Sequence, residues 1–326
     1  MNNHFGMRVT RWGFLPRTLQ PVTLFTMNNS TTRRNFLKTA ALSGAAATVM
    51  PGCVSESPSK EEADEFKLNP NPLKLGVMTY TLAKDWDIET IIKNLSETGY
   101  QSVELRTTHA HGVEVTLTPE ERAEVKKRFE DSPLEAISLA SAFQYHSPDP
   151  EELKKNIEGT KEYTLLSRDV GALGFRVFPN ALPEGVPEEQ TLEQIGKALA
   201  EVGQHAYDHG VEIRVCVHGK GTSNVPAIKK IIDYADNPQV YVNWNCNLNE
   251  VEGEGFEANF NLLKDRIKSL HIHELWDERY PYRKLFKLLA DNGFDGYCNA
   301  EIPGNDDPVR ILKYYRSLFL ALQNAY

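Results

Sequence analysis

One pattern repeats along most of the chain: a short apolar run, a polar loop, and then an amphipathic segment with helical spacing. Between Leu73 and the C-terminus it occurs eight times, at intervals of about 32 residues. The apolar runs predict strands at Lys74–Tyr80, Ser102–Leu105, Glu135–Ala140, Gly174–Phe178, Glu212–Val217, Val240–Asn245, Ile267–His273 and Gly296–Ile302. The amphipathic segments predict helices near residues 87–98, 118–130, 150–168, 188–208, 224–236, 257–265, 281–291 and 306–323. Strands that alternate with helices indicate a parallel sheet with helical crossovers.

The residues at the ends of these segments support the predicted helices. Thr118 supplies a capping side chain just before Pro119 at a first helical position. Glycines fall where three of the helices should end, at Gly99, Gly210 and Gly293. Eight βα units in about 250 residues predict a single (β/α)8 barrel with no second domain. An open doubly wound sheet is the alternative, but it would place a glycine-rich phosphate loop after the first strand, where residues 79–83 contain no glycine.

Residues 1–53 predict a twin-arginine export signal. The stretch TRRNFLK at residues 32–38 is followed by an alanine-rich, mildly apolar segment at residues 39–50. That segment is shorter than the roughly 20 residues that span a bilayer, and a frayed amphipathic helix is the alternative. Met27, just upstream of the arginines, is the expected start of translation. The signal predicts export to the periplasm.

Two features connect this signal to the barrel. Met50–Cys53 resembles a lipobox, in which the cysteine becomes the lipidated first residue, although cleavage without lipidation is the alternative because Pro51 is unusual there. Residues 54–72, rich in Ser, Glu, Lys, Pro and Asn, predict a disordered tether, so the barrel is expected to occupy residues 73–326. Membrane contact is expected only through the signal or a lipid anchor.

Charge and composition exclude other classes. The chain has 36 basic and 45 acidic residues, and a net charge of −9 argues against a nucleic-acid partner. No apolar run approaches 18 residues, which argues against a protein with several membrane spans. Four cysteines are too few for a disulfide scaffold.

Polar side chains gather at the predicted strand ends, where (β/α)8 barrels carry their chemistry. They are Glu104, Arg106 and His109, Asn180, Cys216 and His218, Asn243, Asn245 and Asn247, His271 and His273, and Glu301. Because alternate residues of a strand share a face, His271 and His273 point the same way, as do Glu104 and Arg106. Structural alternatives stay open: a salt bridge between Glu104 and Arg106, a hydrogen-bonded histidine pair, and a solvated His109. The convergence of these polar side chains at one end of one barrel predicts a ligand site.

From Leu73 onward the chain resembles the xylose isomerase-like TIM barrels, in particular the sugar phosphate isomerase/epimerase group and a subgroup exported by twin-arginine signals. The segments that carry the resemblance are Gly76–Thr81, Gly99–Arg106, His218–Ser223, Val242–Asn245, Leu270–Glu274 and Gly296–Glu301. In this family a divalent metal is held by Glu, Asp, His and Glu from strands five to eight and polarises a sugar oxygen, while two carboxylates move a proton. The resemblance therefore implies a carbohydrate substrate and a Mn, Co, Zn or Mg cofactor.

The family's ligand set is incomplete in this chain. Cys216 occupies the strand-five Glu position and Asn245 the strand-six Asp position, which leaves His271 and Glu301 as the expected metal ligands. The expected catalytic residues are Glu301, His271 and Glu104. The expected substrate-binding residues are Arg106, His109, Asn180, His218, Asn245 and His273.

The leading hypothesis is an exported carbohydrate isomerase, epimerase or related lyase that works by metal-assisted proton transfer at a partly degraded metal site. A non-catalytic or metal-free carbohydrate-binding barrel is the alternative, with stacking aromatics among Tyr80, Trp86, Phe143, Trp244 and Trp276. Apurinic endonuclease-like activity is disfavoured, because it would need several metals and a basic DNA-binding face, and the sequence indicates neither. Basic residues that could meet a sugar phosphate are Lys220, Arg106, Arg279 and Arg283.

Overall fold

The computed structural model describes residues 68–325, within which eight parallel strands close into a barrel. The strands are β1 (Lys74–Met78), β2 (Ser102–Arg106), β3 (Ala136–Gln144), β4 (Gly174–Phe178), β5 (Glu212–Cys216), β6 (Val240–Trp244), β7 (Ile267–Ile272) and β8 (Tyr297–Ala300). Each strand pairs with its sequence neighbours, and β8 pairs with β1 to close the ring. The predicted (β/α)8 barrel is confirmed. The predicted export signal, and the tether up to residue 67, lie outside the described residues.

Eight α-helices surround the barrel in the described part of the chain. They are α1 (Ile88–Thr98), α2 (Pro119–Glu130), α3 (Pro150–Asp169), α4 (Glu188–His209), α5 (Val225–Ala235), α6 (Phe256–Leu263), α7 (Tyr282–Asp291) and α8 (Pro308–Leu322). Helix α2 begins with a capping box in which Thr118 and Glu121 each accept the other's backbone N–H. None of the helices among residues 68–325 combines the length and apolar character needed to cross a bilayer.

The main hydrophobic core lies between the strands and the helices. Apolar strand residues on the helix-facing side form this core, and Val77, Leu105, Phe175, Val215 and Leu270 are each at most 1% exposed. Burying a side chain of this size contributes about 1.5–3 kcal/mol. This layer stabilises the barrel and leaves the other strand face available for polar residues.

The inside of the barrel is polar. Its buried inward side chains include Ser102, Glu104, Ser138, Arg176, Arg214, Asn243, Ser269, His271 and Asn299. Several of them hydrogen-bond to one another: Ser269 donates to Asn243 Oδ1 at 2.6 Å, and Asn299 Nδ2 donates to Glu104 Oε2 at 3.0 Å. Since (β/α)8 interiors are usually filled with branched apolar residues, this network supports the chemistry above it.

Gly76 allows this network to pack tightly beneath the barrel mouth. A Cβ at this position would lie 2.1 Å from Ser102 Oγ and 2.2 Å from Asn299 Oδ1. Strands β1, β2 and β8 therefore bring their inward polar groups together only because residue 76 has no side chain.

A two-stranded parallel sheet links the loops that follow β4 and β5, pairing Asn180–Ala181 with Gly219–Lys220. Asn180 has a positive φ of 76°, and its amide donates to Gln144 Oε1. Asn180, expected to bind substrate, is thus engaged in holding these loops. The pairing also fixes the backbone next to His218 at the barrel mouth.

Candidate functional site

A cavity of about 650 Å³ opens at the carboxyl ends of the strands. This volume lies within the range of small-molecule sites. The expected site residues that line it are Arg106, His218, Asn245, His271, His273 and Glu301, and Cys216 lines it as well. The side chains of Tyr80, Arg176, Phe178, Asn247 and Glu274 also reach it.

His271, at the end of β7, is the centre of the cavity floor. Its Nε2 donates to Glu104 Oε1 at 2.8 Å, and its Nδ1 donates to Asn245 Oδ1 at 3.1 Å. Nδ1 also lies 3.4 Å from Glu301 Oε2. Burial by itself would lower the pKa of His271, but the two carboxylates outweigh burial and raise it to about 10. His271 is therefore an imidazolium at neutral pH.

Glu104 lies directly beneath His271 and is 1% exposed. One carboxylate oxygen accepts from His271 and the other from Asn299. Burial opposes ionisation, yet the neighbouring imidazolium and, more weakly, the Arg176 and Arg214 guanidinium groups lower the pKa of Glu104. Glu104 was expected to be catalytic; it sits below the cavity lining, where it holds His271 in place. It pairs with His271 rather than with Arg106.

Glu301, just after β8, is the carboxylate at the cavity floor. Its side chain is 16% exposed, and Oε2 faces His271. The neighbouring His273 ring has each nitrogen next to a backbone carbonyl, of Glu301 at 3.2 Å and of Asn245 at 2.8 Å. His273 thus ties the ends of β6 and β8 together, while Glu301 keeps an oxygen available to a ligand.

The residues at the family's metal-ligand positions do not offer the donors that a divalent cation requires. Cys216 Sγ lies 3.4 Å from Asn245 Oδ1, and that oxygen already accepts from His271. Both ring nitrogens of His271 carry hydrogens directed at protein oxygens, so neither has a free lone pair for a metal. Across residues 68–325, no group of three or more His, Cys, Asp or Glu side chains is arranged to hold a metal ion. The donor set in this chain does not fit the metal that the resemblance implied.

Asn245 instead offers hydrogen-bond donors to the cavity. Its Oδ1 is occupied by His271 and Cys216, whereas its Nδ2 has no acceptor among the described side chains and backbone. A carboxylate at this position would offer only acceptors. The amide is therefore suited to a sugar carbonyl or hydroxyl oxygen.

Two further expected binding residues lie on β2 and the loop after it. Arg106 Nη1 donates to His109 Nε2 at 3.3 Å, and His109 Nδ1 donates to Thr79 Oγ1 at 3.0 Å. Burial, and then the Arg106 charge, lower the pKa of His109. His109 orients Arg106 from behind, and only Arg106 reaches the cavity lining.

His218, in the loop after β5, faces the cavity and packs on Phe178 with 4.8 Å between ring centroids. Burial, followed by the Arg176 charge, lowers the pKa of His218 below 6.5. His218 is therefore a neutral imidazole at pH 7, able to accept or donate a proton.

Arg176 was missed by the sequence reasoning. It sits in the middle of β4, in the sequence GFRVF, which has the composition of a core strand. The available signal was alternation, because Arg176 is two residues before Phe178 and shares its inward face. Of the aromatic residues considered for stacking, Tyr80 lines the cavity, whereas Trp244 is fully buried against Phe256 and Phe260.

The fold and cavity define a class: a (β/α)8 barrel with a cavity of small-molecule size at the carboxyl ends of its strands. The family model for xylose isomerase-like TIM barrels matches residues 92–318, so the chain belongs to that family. No curated protein matches the chain significantly.

Solved structures share the fold at low sequence identity. The structure of an L-ribulose 3-epimerase has a TM-score of 0.65 at 14% identity, covering 78% of this chain and 95% of that one. The IOLI protein with a bound zinc atom has a TM-score of 0.59 at 16% identity, covering 78% and 95%. A sugar phosphate isomerase/epimerase from Parabacteroides distasonis has a TM-score of 0.58 at 17% identity, covering 78% and 96%. At these identities the likeness establishes the fold alone.

Proposed function

We propose that this protein is a carbohydrate isomerase or epimerase that moves a proton on a small sugar without a metal. The observation that carries the proposal is the Glu301 carboxylate, which lines the same cavity as the imidazole of His218, whose pKa is lowered. Family membership and the sugar epimerases among the structural relatives support a carbohydrate substrate.

The chemistry begins with Glu301 as the general base. Its carboxylate takes the proton from the carbon next to the sugar carbonyl, and the C–H electron pair moves to give an enediolate. The Asn245 amide donates to the developing oxyanion, and the buried His271 imidazolium stabilises the negative charge. A proton then returns from Glu301 or His218, to the other face of the carbon or to its neighbour.

The expected metal-assisted version has weaker support in this chain. A divalent cation would have to displace the Nδ1 proton of His271, which two carboxylates stabilise, and it would meet a thiol and an amide where the family has carboxylates. The His271 imidazolium places a positive charge at the cavity floor without a metal ion.

Exchange of sugar C–H hydrogens with D₂O tests the proposal without knowledge of the product. Ketoses and aldoses are incubated with the barrel in D₂O and followed by proton NMR. Wild type is expected to catalyse exchange on at least one sugar, and Glu301→Gln to slow it by about 10²-fold or more, because the base is lost. Glu257→Gln on α6, whose carboxylate is exposed and pairs with Lys284, is the control.

Two results would contradict the proposal. Equal exchange rates in wild type and Glu301→Gln would remove Glu301 from the reaction. Sugar binding without exchange in any sample would instead identify the chain as a carbohydrate-binding barrel.

We also propose export through the twin-arginine pathway, on the strength of the residue 32–38 motif. Replacing Arg33 and Arg34 by lysine should keep the protein in the cytoplasm of its host. Mass spectrometry of the mature N-terminus would show whether Cys53 carries lipid, and an unprocessed N-terminus would contradict export.

A further inference from the structure

Arg176 is a buried cation that has no carboxylate at salt-bridge distance among residues 68–325; Glu104 acts on it only from further away. Its side chain is 4% exposed, and its Nε is buried without a hydrogen-bond acceptor. The guanidinium stacks on Phe178, with Cζ 3.9 Å from the ring centroid, and its end lines the cavity. The neighbouring Arg214, equally buried, differs because it pairs with Glu212 Oε2 at 2.6 Å.

The stacking on Phe178 leaves the guanidinium edge as the part of Arg176 that can bind a ligand. Guanidinium groups recognise carboxylates through two parallel N–H bonds along one edge. Removing such a charge from water is costly unless an anion compensates it. Since the described protein provides no anion at hydrogen-bond distance, a bound ligand is the remaining source.

A positive and a negative side chain lie on opposite sides of the cavity. Arg176 is on β4 and Glu301 follows β8, and these strands are four places apart in the ring of eight. They therefore lie on opposite walls of the barrel mouth. A ligand that reached both would have its anionic group at Arg176 and its reacting carbon at Glu301.

We propose that Arg176 binds the carboxylate of a sugar acid, and that this contact places the sugar carbon beside Glu301. The inference rests on the proposed function and specifies its substrate class. One carboxylate matches the Arg176 guanidinium in charge and in planar geometry. A phosphate dianion would call for a second cation beside Arg176; Arg106 also lines the cavity, but it lies on β2, two strands away from β4, and its Nη1 donates to His109.

Isothermal titration of the barrel with matched sugars tests this assignment. The ligands are D-glucose, D-galactose and D-mannose, the corresponding uronates, and the corresponding 6-phosphates. At least one uronate is expected to bind tenfold to a hundredfold more tightly than its neutral sugar, which is the usual strength of a charge-assisted hydrogen-bond pair. Arg176→Gln should abolish that preference, and Arg176→Lys should keep only part of it.

The control is Arg128→Gln, which changes an exposed arginine on α2 and should retain the preference. Thermal melting shows whether each variant is folded. If Arg176→Gln does not fold, Arg176→Lys is used to test the preference instead. Equal binding of uronates and neutral sugars, or a preference that survives Arg176→Gln, would overturn the inference while leaving the proposed function intact. Tighter binding of the 6-phosphates would overturn the carboxylate assignment. Failure of every sugar to bind would defeat the proposed function and this inference together.

Discussion

Replacing Glu104 by glutamine is the sharpest test of the electrostatic arrangement beneath the cavity. Glutamine keeps the size of the side chain, and its oxygen can still accept from Asn299. What it removes is the negative charge 2.8 Å from the Nε2 of His271. The pKa of His271 should therefore fall, because Glu301 would be the one carboxylate left to raise it.

The size of the effect follows from the raised pKa. A rise from 6.5 to about 10 corresponds to about 5 kcal/mol of stabilisation of the imidazolium in the folded state. Removing one partner of a buried ion pair typically costs about 3–5 kcal/mol. We therefore expect Glu104→Gln to lower the free energy of unfolding by about 3–5 kcal/mol near pH 5.5.

The direction in which the stability difference changes with pH follows from the two pKa shifts. Because the pKa of His271 is raised on folding, its contribution to the free energy of unfolding is complete below pH 6.5. That contribution is lost as the pH rises through about 10. Because the pKa of Glu104 is lowered on folding, its contribution is lost as the pH falls below 4.5. The difference between wild type and variant should thus be widest between about pH 4.5 and 6.5 and smaller at pH 9.5 than at pH 5.5, by at most about 4 kcal/mol because Glu301 also raises the pKa of His271.

Urea denaturation followed by circular dichroism at both pH values measures this difference. NMR titration of labelled histidine measures the pKa of His271 directly. Glu257→Gln is again the control and should leave the free energy of unfolding nearly unchanged. If wild type and Glu104→Gln lost stability in parallel between pH 5.5 and 9.5, His271 could not be held as an imidazolium by Glu104.

Three further predictions concern the floor and mouth of the cavity. If His218 acts as a neutral imidazole, the acid limb of kcat/KM should lie below pH 6.5, and a limb that His218→Asn left unmoved would contradict that role. Gly76→Ala should cost about 1–3 kcal/mol in urea denaturation because its Cβ collides with Ser102 and Asn299; an unchanged midpoint would show that β1 can shift. After exposure to Mn, Co, Zn and Mg, the desalted protein should hold well under one metal per chain by elemental analysis. A stoichiometric metal lost in Glu301→Gln would show that the thiol and amide positions do form a metal site.

Most of the fold could be predicted because its signals are local. The capping box at Thr118, the glycine at position 99 and the apolar periodicity each act over a few residues. Small differences occur at strand ends: β3 extends to Gln144, with a register shift after Ala140 that propensity does not reveal. Where the pattern was local, prediction and structure agree.

The site could be predicted only in part. Residue types at strand ends pointed to one end of the barrel, and six of the expected site residues line one cavity there. Their roles depend on partners far away in sequence, such as the 167 residues that separate Glu104 from His271. Arg176 escaped notice because a single charged residue in an apolar strand reveals neither its partner nor the lack of one.

The sequence alone determined that this chain forms eight βα units, because hydrophobic periodicity and helix caps are properties of neighbouring residues. Only the tertiary structure decided which charges are compensated. Closing the sheet into a ring places β2 under β7 at the floor, so that Glu104 neutralises His271. It also places β4 opposite β8, so that Arg176 faces the cavity without a carboxylate of the described chain at salt-bridge distance. Electrostatic pairing acts through space, and the distances are set by barrel closure.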